Sequence, residues 1–309
     1  MNMLSMKSWR WGGLLAVSLL CGCPEQHTVQ VTMKKGATSA AAPDESTEAA
    51  PVGYGNLHGV VTFDGDPKAP KKVVAKGDAS VKDSAVCAAE DAFDETFLVN
   101  SANKGIRFAV VYLDKAPKAI KPELKDPPTA PVFFDQKMCR FIPHVVAFRI
   151  GQPFKILSDD SVPHNTHTNP NRNDAFNQTV PPNERVGVDC KYKKPETAPI
   201  SVVCDFHGWM KAYHFPVDHP YFAVTDENGK FRIDGLPAGP HTFNVWHESA
   251  SGGMLERKLT IEITPDNDTE KNFTYGAAKF AANSSPSRGV HFERLLEGGE
   301  IHVTRKESK

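Results

Sequence analysis

The sequence predicts an all-β protein. The 309-residue chain carries 24 prolines and 22 glycines, and these separate short apolar runs. Several of the runs alternate apolar and polar residues, as strands with one buried face do. We find no long amphipathic helical pattern, and only residues 82–93 are expected to form a short helix. The charge is nearly balanced, with 36 basic and 37 acidic residues, so composition gives no argument for a nucleic-acid partner.

The first 23 residues have the layout of an export signal. A basic start precedes an apolar stretch at residues 11–20, which is too short to span a bilayer. The stretch ends in Leu20-Cys21-Gly22-Cys23, which resembles the lipobox of bacterial lipoproteins. That resemblance implies cleavage before Cys23, a lipid on its sulfur, and a periplasmic or cell-surface protein anchored to a bacterial membrane. Lipidation at Cys21, an ordinary cleaved signal and an uncleaved anchor are the alternatives.

The remaining chain reads as a tether followed by short strands. Residues 24–54 lack an apolar period and are predicted to form a disordered tether. The Asn228-Gly229 pair predicts a hairpin over residues 222–233. The tail at residues 276–309 is assigned no role. Other strands are predicted at residues 57–63, 106–113, 131–134, 145–150, 153–157, 200–204, 211–217, 241–247, 257–263 and 269–275.

One motif concentrates metal-binding chemistry. Cys204, His207 and Met210 lie within seven residues and offer a thiolate, an imidazole and a thioether. Soft sulfur ligands with imidazole favour copper, and two histidines, one cysteine and a weak axial methionine make up a blue-copper electron-transfer site. The second histidine is sought in the string Pro163-His164-Asn165-Thr166-His167, after the predicted strand at 153–157.

Two other interpretations of this motif stay open. Each residue alone is more often structural, since a free cysteine is commonly a small buried core residue and methionine a core filler. Zinc is the rival ion, because one cysteine and two histidines hold zinc with water in the fourth position. A thioether is a poor zinc ligand, which favours copper.

The two motifs together resemble those of the cupredoxins, amicyanins most closely. The resemblance rests on the Cys-x₂-His-x₂-Met spacing and on the upstream Pro-His-Asn-x-His string, and it covers roughly residues 130–218. It implies a Greek-key β-sandwich with one type 1 copper ion held by His164, Cys204, His207 and Met210. The first histidine of the string is the ligand in that family, which selects His164 over His167.

The resemblance also implies a role for one neighbour of the site, and the ligand set indicates the task of the site. Asn165 would hydrogen-bond across to the ligand loop and stiffen it. His207 would be the solvent-side ligand, and Phe206, Trp209 and Val162 would form an apolar collar that docks a redox partner transiently. Electron transfer is expected, not catalysis, because four protein ligands leave little room for a substrate.

Two features limit the resemblance. Phe206 and Gly208 stand where amicyanins have prolines, and Asp205 places a charge next to the thiolate. The alternative to electron transfer is a non-redox role: a cell-surface binding or structural protein whose cupredoxin domain is vestigial or binds zinc. Alternatively, Trp209 is simply a core residue.

Three cysteines remain once the two N-terminal ones and Cys204 are set aside. They are Cys87, Cys139 and Cys190, and in an oxidising compartment two of them are expected to pair. A Cys87–Cys139 disulfide with Cys190 as a free thiol is preferred. A disulfide between Cys190 and Cys204 would exclude the copper site.

Residues after the copper motifs resemble a second family. The stretch at 225–245 resembles the carboxypeptidase regulatory-like, or transthyretin-like, sandwich, while that family's opening pieces lie upstream at 59–67 and 110–113. We therefore predict a discontinuous sandwich of residues 55–128 and 219–275, with the cupredoxin domain at 129–218 inserted between its strands. Three sequential pieces are the alternative.

Overall fold

The computed structural model describes residues 53–280, together with the backbone of residues 292–297 and 300–305. Strands and turns dominate these residues, and the helix α1 (Ser84–Cys87) is four residues long. The all-β prediction is confirmed. Among the described residues, no helix is long and apolar enough to cross a membrane. The predicted signal, the lipidated Cys23 and nearly all of the tether lie outside the described part of the chain.

The strands fall into three groups along the chain. The first group is β1 (Tyr54–Asp64), β2 (Lys72–Val74), β3 (Ala92–Phe93) and β4 (Val110–Leu113). The second is β5 (Val132–Gln136), β6 (Phe141–Ile142), β7 (Val145–Arg149), β8 (Phe154–Ile156), β9 (His164–Thr168), β10 (Asn177–Val180), β11 (Val188–Asp189), β12 (Ile200–Val203) and β13 (Lys211–Val217). The third is β14 (Phe222–Val224), β15 (Lys230–Pro237), β16 (Gly239–Trp246), β17 (Met254–Ile263), β18 (Asp268–Glu270), β19 (Phe273–Gly276), β20 (Phe292–Glu297) and β21 (Glu300–Arg305).

Strands from the first and third groups build one sandwich. One sheet has the order β15-β1-β18, with β19 also on β1, and the other has the order β14-β4-β16-β17. Strand β1 alternates buried and half-buried residues, which places Leu57, Val61 and Phe63 in the core with Phe243 and Val245. Strands β1 and β15 therefore pair although they are more than 150 residues apart in sequence, with Val60 opposite Lys230. The middle group of strands lies between them in the sequence.

The middle group builds a second sandwich. Its sheets have the orders β10-β9-β12-β13-β7 and β11-β8-β5-β6. Phe134, Phe148, Ile156 and Val202 fill the space between them. Strand β13 runs parallel to β7, and β5 runs parallel to β8, so neither sheet is a simple succession of hairpins.

A further apolar layer lies between the two sandwiches. Strand β4 is buried on both faces, so Val111 faces the first sandwich core while Val110 and Tyr112 face the layer. Tyr213 and Phe215 of β13 enter the same layer from the other side. A strand buried on both faces needs a continuous apolar run, which is what residues 110–113 have.

The predicted hairpin at residues 222–233 is wrong. Strand β14 pairs with β4, whereas β15 pairs with β1 in the other sheet. The Asn228-Gly229 turn is present, but it connects two sheets. Gly229 has φ 72°, and a Cβ there would lie 2.3 Å from the carbonyl oxygen of Val61, so the close approach of β1 requires glycine.

Two other predicted elements are shorter than expected. The helix predicted at 82–93 ends at Cys87, because Ala92 and Phe93 pair with β2 instead. The strand predicted at 106–113 begins only at Val110, because Phe108 has a positive φ of 67°.

Candidate metal centre

Three donor side chains meet at one end of the second sandwich. His164 begins β9, Cys204 directly follows β12, and His207 lies in the loop after it. His164 Nδ1 lies 3.0 Å from His207 Nδ1, and Cys204 Sγ lies 3.7 Å from His207 Nδ1. All three residues are at most 2% exposed. Because β9 and β12 are neighbours in one sheet, residues 40 apart in sequence come together here.

This donor set fits a single metal ion. The three donor atoms lie within 4.8 Å of one another. Ligands bonded to one ion at about 2.0 Å for nitrogen and 2.3 Å for sulfur are at most about 4.3 Å apart, and the two distances of 3.0 and 3.7 Å lie below that limit. One thiolate and two imidazoles form a set that binds copper or zinc.

The outer nitrogen of each histidine is bound by a carboxylate. His164 Nε2 lies 2.8 Å from Asp160 Oδ2, and His207 Nε2 lies 2.9 Å from Asp83 Oδ2. Each Nε2–H donates to its carboxylate, so both Nδ1 atoms are directed toward the shared centre. Carboxylates bound to ligand histidines in this way fix ring orientation in metal sites. The sequence analysis missed both aspartates.

Asp160 is itself firmly held. It is 4% exposed and accepts hydrogen bonds from the backbone N–H groups of Met138 at 2.6 Å and Cys139 at 2.8 Å. Burial alone would raise the pKa of Asp160, but the hydrogen bonds from His164, Cys139 and Met138 outweigh it and lower the pKa. The residue is therefore a carboxylate at neutral pH.

Cys204 is a free thiol with a lowered pKa. Burial alone would raise its pKa, but hydrogen bonds from His164, His207 and the backbone N–H groups of Asn165 and Phe206 lower the pKa to about 6. A thiolate is the form that binds metal.

Cys190 is also a free thiol, so the disulfide with Cys204 that would have excluded the site is not formed. Burial raises the pKa of Cys190 to about 12. The structure has a disulfide between Cys87 and Cys139, the pair preferred from the sequence.

Backbone hydrogen bonds close the ligand loop. The N–H of Met210 donates to the carbonyl of His207 at 2.9 Å, and the N–H of Cys204 donates to the carbonyl of Met210 at 3.2 Å. Met210 is 2% exposed and belongs to the same core cluster as Cys204. The fourth predicted ligand thus lies at the base of the loop that carries two of the others.

Asn165 joins the ligand loop to the neighbouring strands. Its Oδ1 accepts from the backbone N–H of Asp205 at 2.6 Å, and its Nδ2 donates to Asp205 Oδ2 at 2.7 Å. The Nδ2 group also donates to Asn177 Oδ1 at 2.8 Å. His167 contacts the same carboxylate at 3.1 Å and is not part of the three-donor group.

The prediction that His207 faces solvent is wrong. His207 is 0% exposed, because residues 72–93, which we call the cap, fold over it and place Asp83 on its Nε2. The cap also contacts two residues of the predicted collar. Lys82 Nζ lies 4.6 Å from the centre of the Phe206 ring, and Trp209 packs against cap residues. Phe206, Trp209 and Val162 are each half-buried.

Within residues 53–280, two further groups of histidine, cysteine and acidic side chains have metal-site spacing, and both overlap this centre. One combines Cys87, Cys139 and His207, whose sulfurs are committed to the disulfide, and the other combines Cys139, Asp160 and His164. Other histidines of this region, such as His144 and His219, join no such group.

No protein-family model and no curated protein matches this chain. Solved structures give distant likenesses. A Cu-containing nitrite reductase from Thermus scotoductus is 16% identical with a TM-score of 0.26, over 35% of this chain and 25% of that one. A purple cupredoxin from Nitrosopumilus maritimus is 16% identical with a TM-score of 0.23, over 27% and 97%. Amicyanin from Paracoccus versutus is 14% identical with a TM-score of 0.25, over 34% and 96%.

The chain therefore spans about a quarter of the nitrite reductase and nearly all of the purple cupredoxin and the amicyanin. TM-scores at this level assign no function. The geometry of the three donors and their carboxylates is what the functional conclusion rests on.

Proposed function

We propose that this protein binds one type 1 copper ion and transfers electrons. The observation that carries the proposal is the buried convergence of Cys204 Sγ, His164 Nδ1 and His207 Nδ1, with Met210 at the base of the same loop. A bound copper ion would alternate between two oxidation states and pass on one electron at a time. Met210 would supply the weak thioether and complete the set.

The protein's own residues would hold the donors and exclude water. Asp160 and Asp83 hold the two imidazoles from behind and direct their Nδ1 atoms toward the shared centre. The thiol of Cys204, with its pKa lowered to about 6, is largely ionised at neutral pH. Burial of all three donors keeps bulk water away. A rigid, dry site needs little rearrangement when the charge of the ion changes.

Cu(II) addition to the purified full chain tests this proposal. We expect one equivalent to bind and produce the intense colour of a thiolate–Cu(II) bond. Cys204→Ser should abolish that colour, and His164→Ala should abolish or strongly alter it. His167→Ala is the matched control, since His167 sits two residues away and lies outside the donor group. A colourless protein would refute the proposal.

Zinc binding is the second candidate, and it has one observation in its favour. A histidine that donates its outer N–H to a carboxylate is a recurrent feature of zinc sites. A protein that binds Zn²⁺ tightly but gives no colour with Cu(II) would support a structural role in place of electron transfer.

The remaining assignments are proposals that rest on the sequence and on strand pairing. The pairing of β1 with β15 and of β4 with β16 supports a discontinuous sandwich of residues 55–128 and 219–275, with the copper domain at 129–218 inserted. The leader and the cysteine motif at its end support export and lipid anchoring. Mass spectrometry of the mature protein would test for a lipid on Cys23.

A further inference from the structure

The cap contributes one side chain directly to the metal centre. It comprises β2, α1, β3 and the connections between them, and it precedes the second sandwich in sequence. Val74, Ala88 and Ala92 form a small buried cluster that packs on Trp209. Asp83, at the start of α1, places Oδ2 2.9 Å from His207 Nε2.

The cap is tied to the same structure that holds the other histidine. Cys87 of α1 forms the disulfide with Cys139, and the backbone N–H of Cys139 donates to Asp160 Oδ2 at 2.8 Å. Asp160 in turn holds His164. The Cys87–Cys139 disulfide therefore links the cap segment that carries Asp83 to the loop that holds Asp160, so the carboxylates of the two histidines are connected through it.

Asp83 occupies an uncommon backbone conformation. Its φ and ψ are 56° and 37°, in the left-handed region that few residues other than glycine adopt without strain. Its carbonyl accepts hydrogen bonds from the N–H groups of Val86 and Cys87, both at 2.9 Å. These two bonds hold the turn that aims the carboxylate at His207.

We propose that Asp83 is a positioning residue for the metal ligand His207 and that the cap is a built-in cover of the metal centre. This inference rests on the proposed copper function. The cap has two effects. It holds the His207 ring by its outer nitrogen, and it keeps a redox partner from touching the edge of that ring. Electrons would then enter beside the cap, where Gly208 is exposed.

Two substitutions separate the hydrogen bond from the charge. Asp83→Asn keeps an acceptor oxygen for the His207 N–H but removes the negative charge, and Asp83→Ala removes both. Losing such an outer partner typically weakens metal binding about 10–100-fold, so Cu(II) release to a chelator should accelerate by that factor in Asp83→Ala. In Asp83→Asn the release rate should change less.

The reduction potential of the bound copper is a second measurement. It would not change if Asp83 had only a structural role. A nearby carboxylate favours the more positive Cu(II) state, so both variants should have a higher reduction potential than the wild type. Asp78→Asn is the control, since Asp78 is also in the cap but its carboxylate accepts from Ser80 in its own turn and not from a histidine. It should leave the release rate and the potential unchanged.

A metal-free measurement keeps the inference separate from the copper proposal. Diethyl pyrocarbonate acylates accessible imidazole nitrogens, and mass spectrometry locates the modified residue. We expect His207 to react severalfold faster in metal-free Asp83→Ala than in the wild type, while His164 stays protected. Equal His207 reactivity, or a blue Asp83→Ala with wild-type copper release and potential, would overturn the inference. If the wild type stays colourless with Cu(II) but His207 reacts faster in Asp83→Ala, the copper function is refuted and the positioning role of Asp83 stands.

Discussion

Replacing Asn165 with alanine should loosen the ligand loop without removing any metal ligand. The substitution deletes two hydrogen bonds with Asp205, at 2.6 and 2.7 Å, and one with Asn177, at 2.8 Å. Neutral bonds contribute about 0.5–1.5 kcal/mol each, and one to a carboxylate contributes about 1.5–3 kcal/mol. Water can replace part of this at the exposed Asp205, so we expect a loss of about 2–4 kcal/mol in the free energy of unfolding.

Urea unfolding of the metal-free protein measures this loss directly. Asn177→Ala is the graded control, because Asn177 is exposed, shares one of the three bonds with Asn165 and makes only a long bond of 3.3 Å to Asp205. Asn177→Ala should lower the free energy of unfolding by about 1 kcal/mol. The backbone N–H of Asn165 still reaches Cys204 in Asn165→Ala, so copper should still bind. If Asn165→Ala unfolds within about 1 kcal/mol of the wild type, the account of a stiffened loop is wrong.

Three further predictions concern residues outside the donor set. Cys190→Ser should bind copper like the wild type, because Cys190 is a free buried thiol that is not among the donors; loss of the colour would contradict this. Burial lowers the pKa of His214 to about 3 and of His247 to about 4. The unfolded chain therefore binds more protons below pH 6.5, and stability should fall as the pH drops from 7 to 5, by about 2 kcal/mol for each histidine. A urea midpoint that is unchanged over this range would refute that assignment. Phe243→Ala should cost about 3–5 kcal/mol in unfolding experiments, because this fully buried ring fills the core of the discontinuous sandwich; a loss below about 1 kcal/mol would contradict its placement.

Local spacing predicted part of the donor set. Cys204, His207 and Met210 lie on one short loop, so their proximity follows from sequence distance alone. His164 required the assumption that two strand ends meet, and the pairing of β9 with β12 provides that. The Asn165 bonds to the ligand loop, implied by the family resemblance, are present.

The surroundings of the site could not be predicted in the same way. Asp83 lies 124 residues from His207 in sequence, and no local pattern connects them. Asp160 is four residues before His164, but a single acidic residue at that spacing is too common to be informative. The burial of His207 follows from the cap, and its packing depends on a tertiary contact with Trp209.

Two of the differences between the predicted and the observed strands have physical causes as well. Strand β9 reads His-Asn-Thr-His-Thr, which lacks apolar alternation because its buried residues are polar, and His164 and Asn165 among them serve the site. An Asn-Gly turn favours a tight reversal, but it does not decide whether the flanking strands pair with each other. Here β1 and β4 offer better partners to β15 and β14, and the two strands diverge into separate sheets.

X-ray absorption at the copper edge of the Cu(II)-loaded full chain tests the central claim most directly. The account predicts one copper ion per chain with one short sulfur contact and two imidazole nitrogens. In Cys204→Ser the sulfur contact should disappear, while Cys190→Ser should retain it. A spectrum of the wild type with nitrogen and oxygen neighbours but no sulfur would place the copper elsewhere and contradict the account.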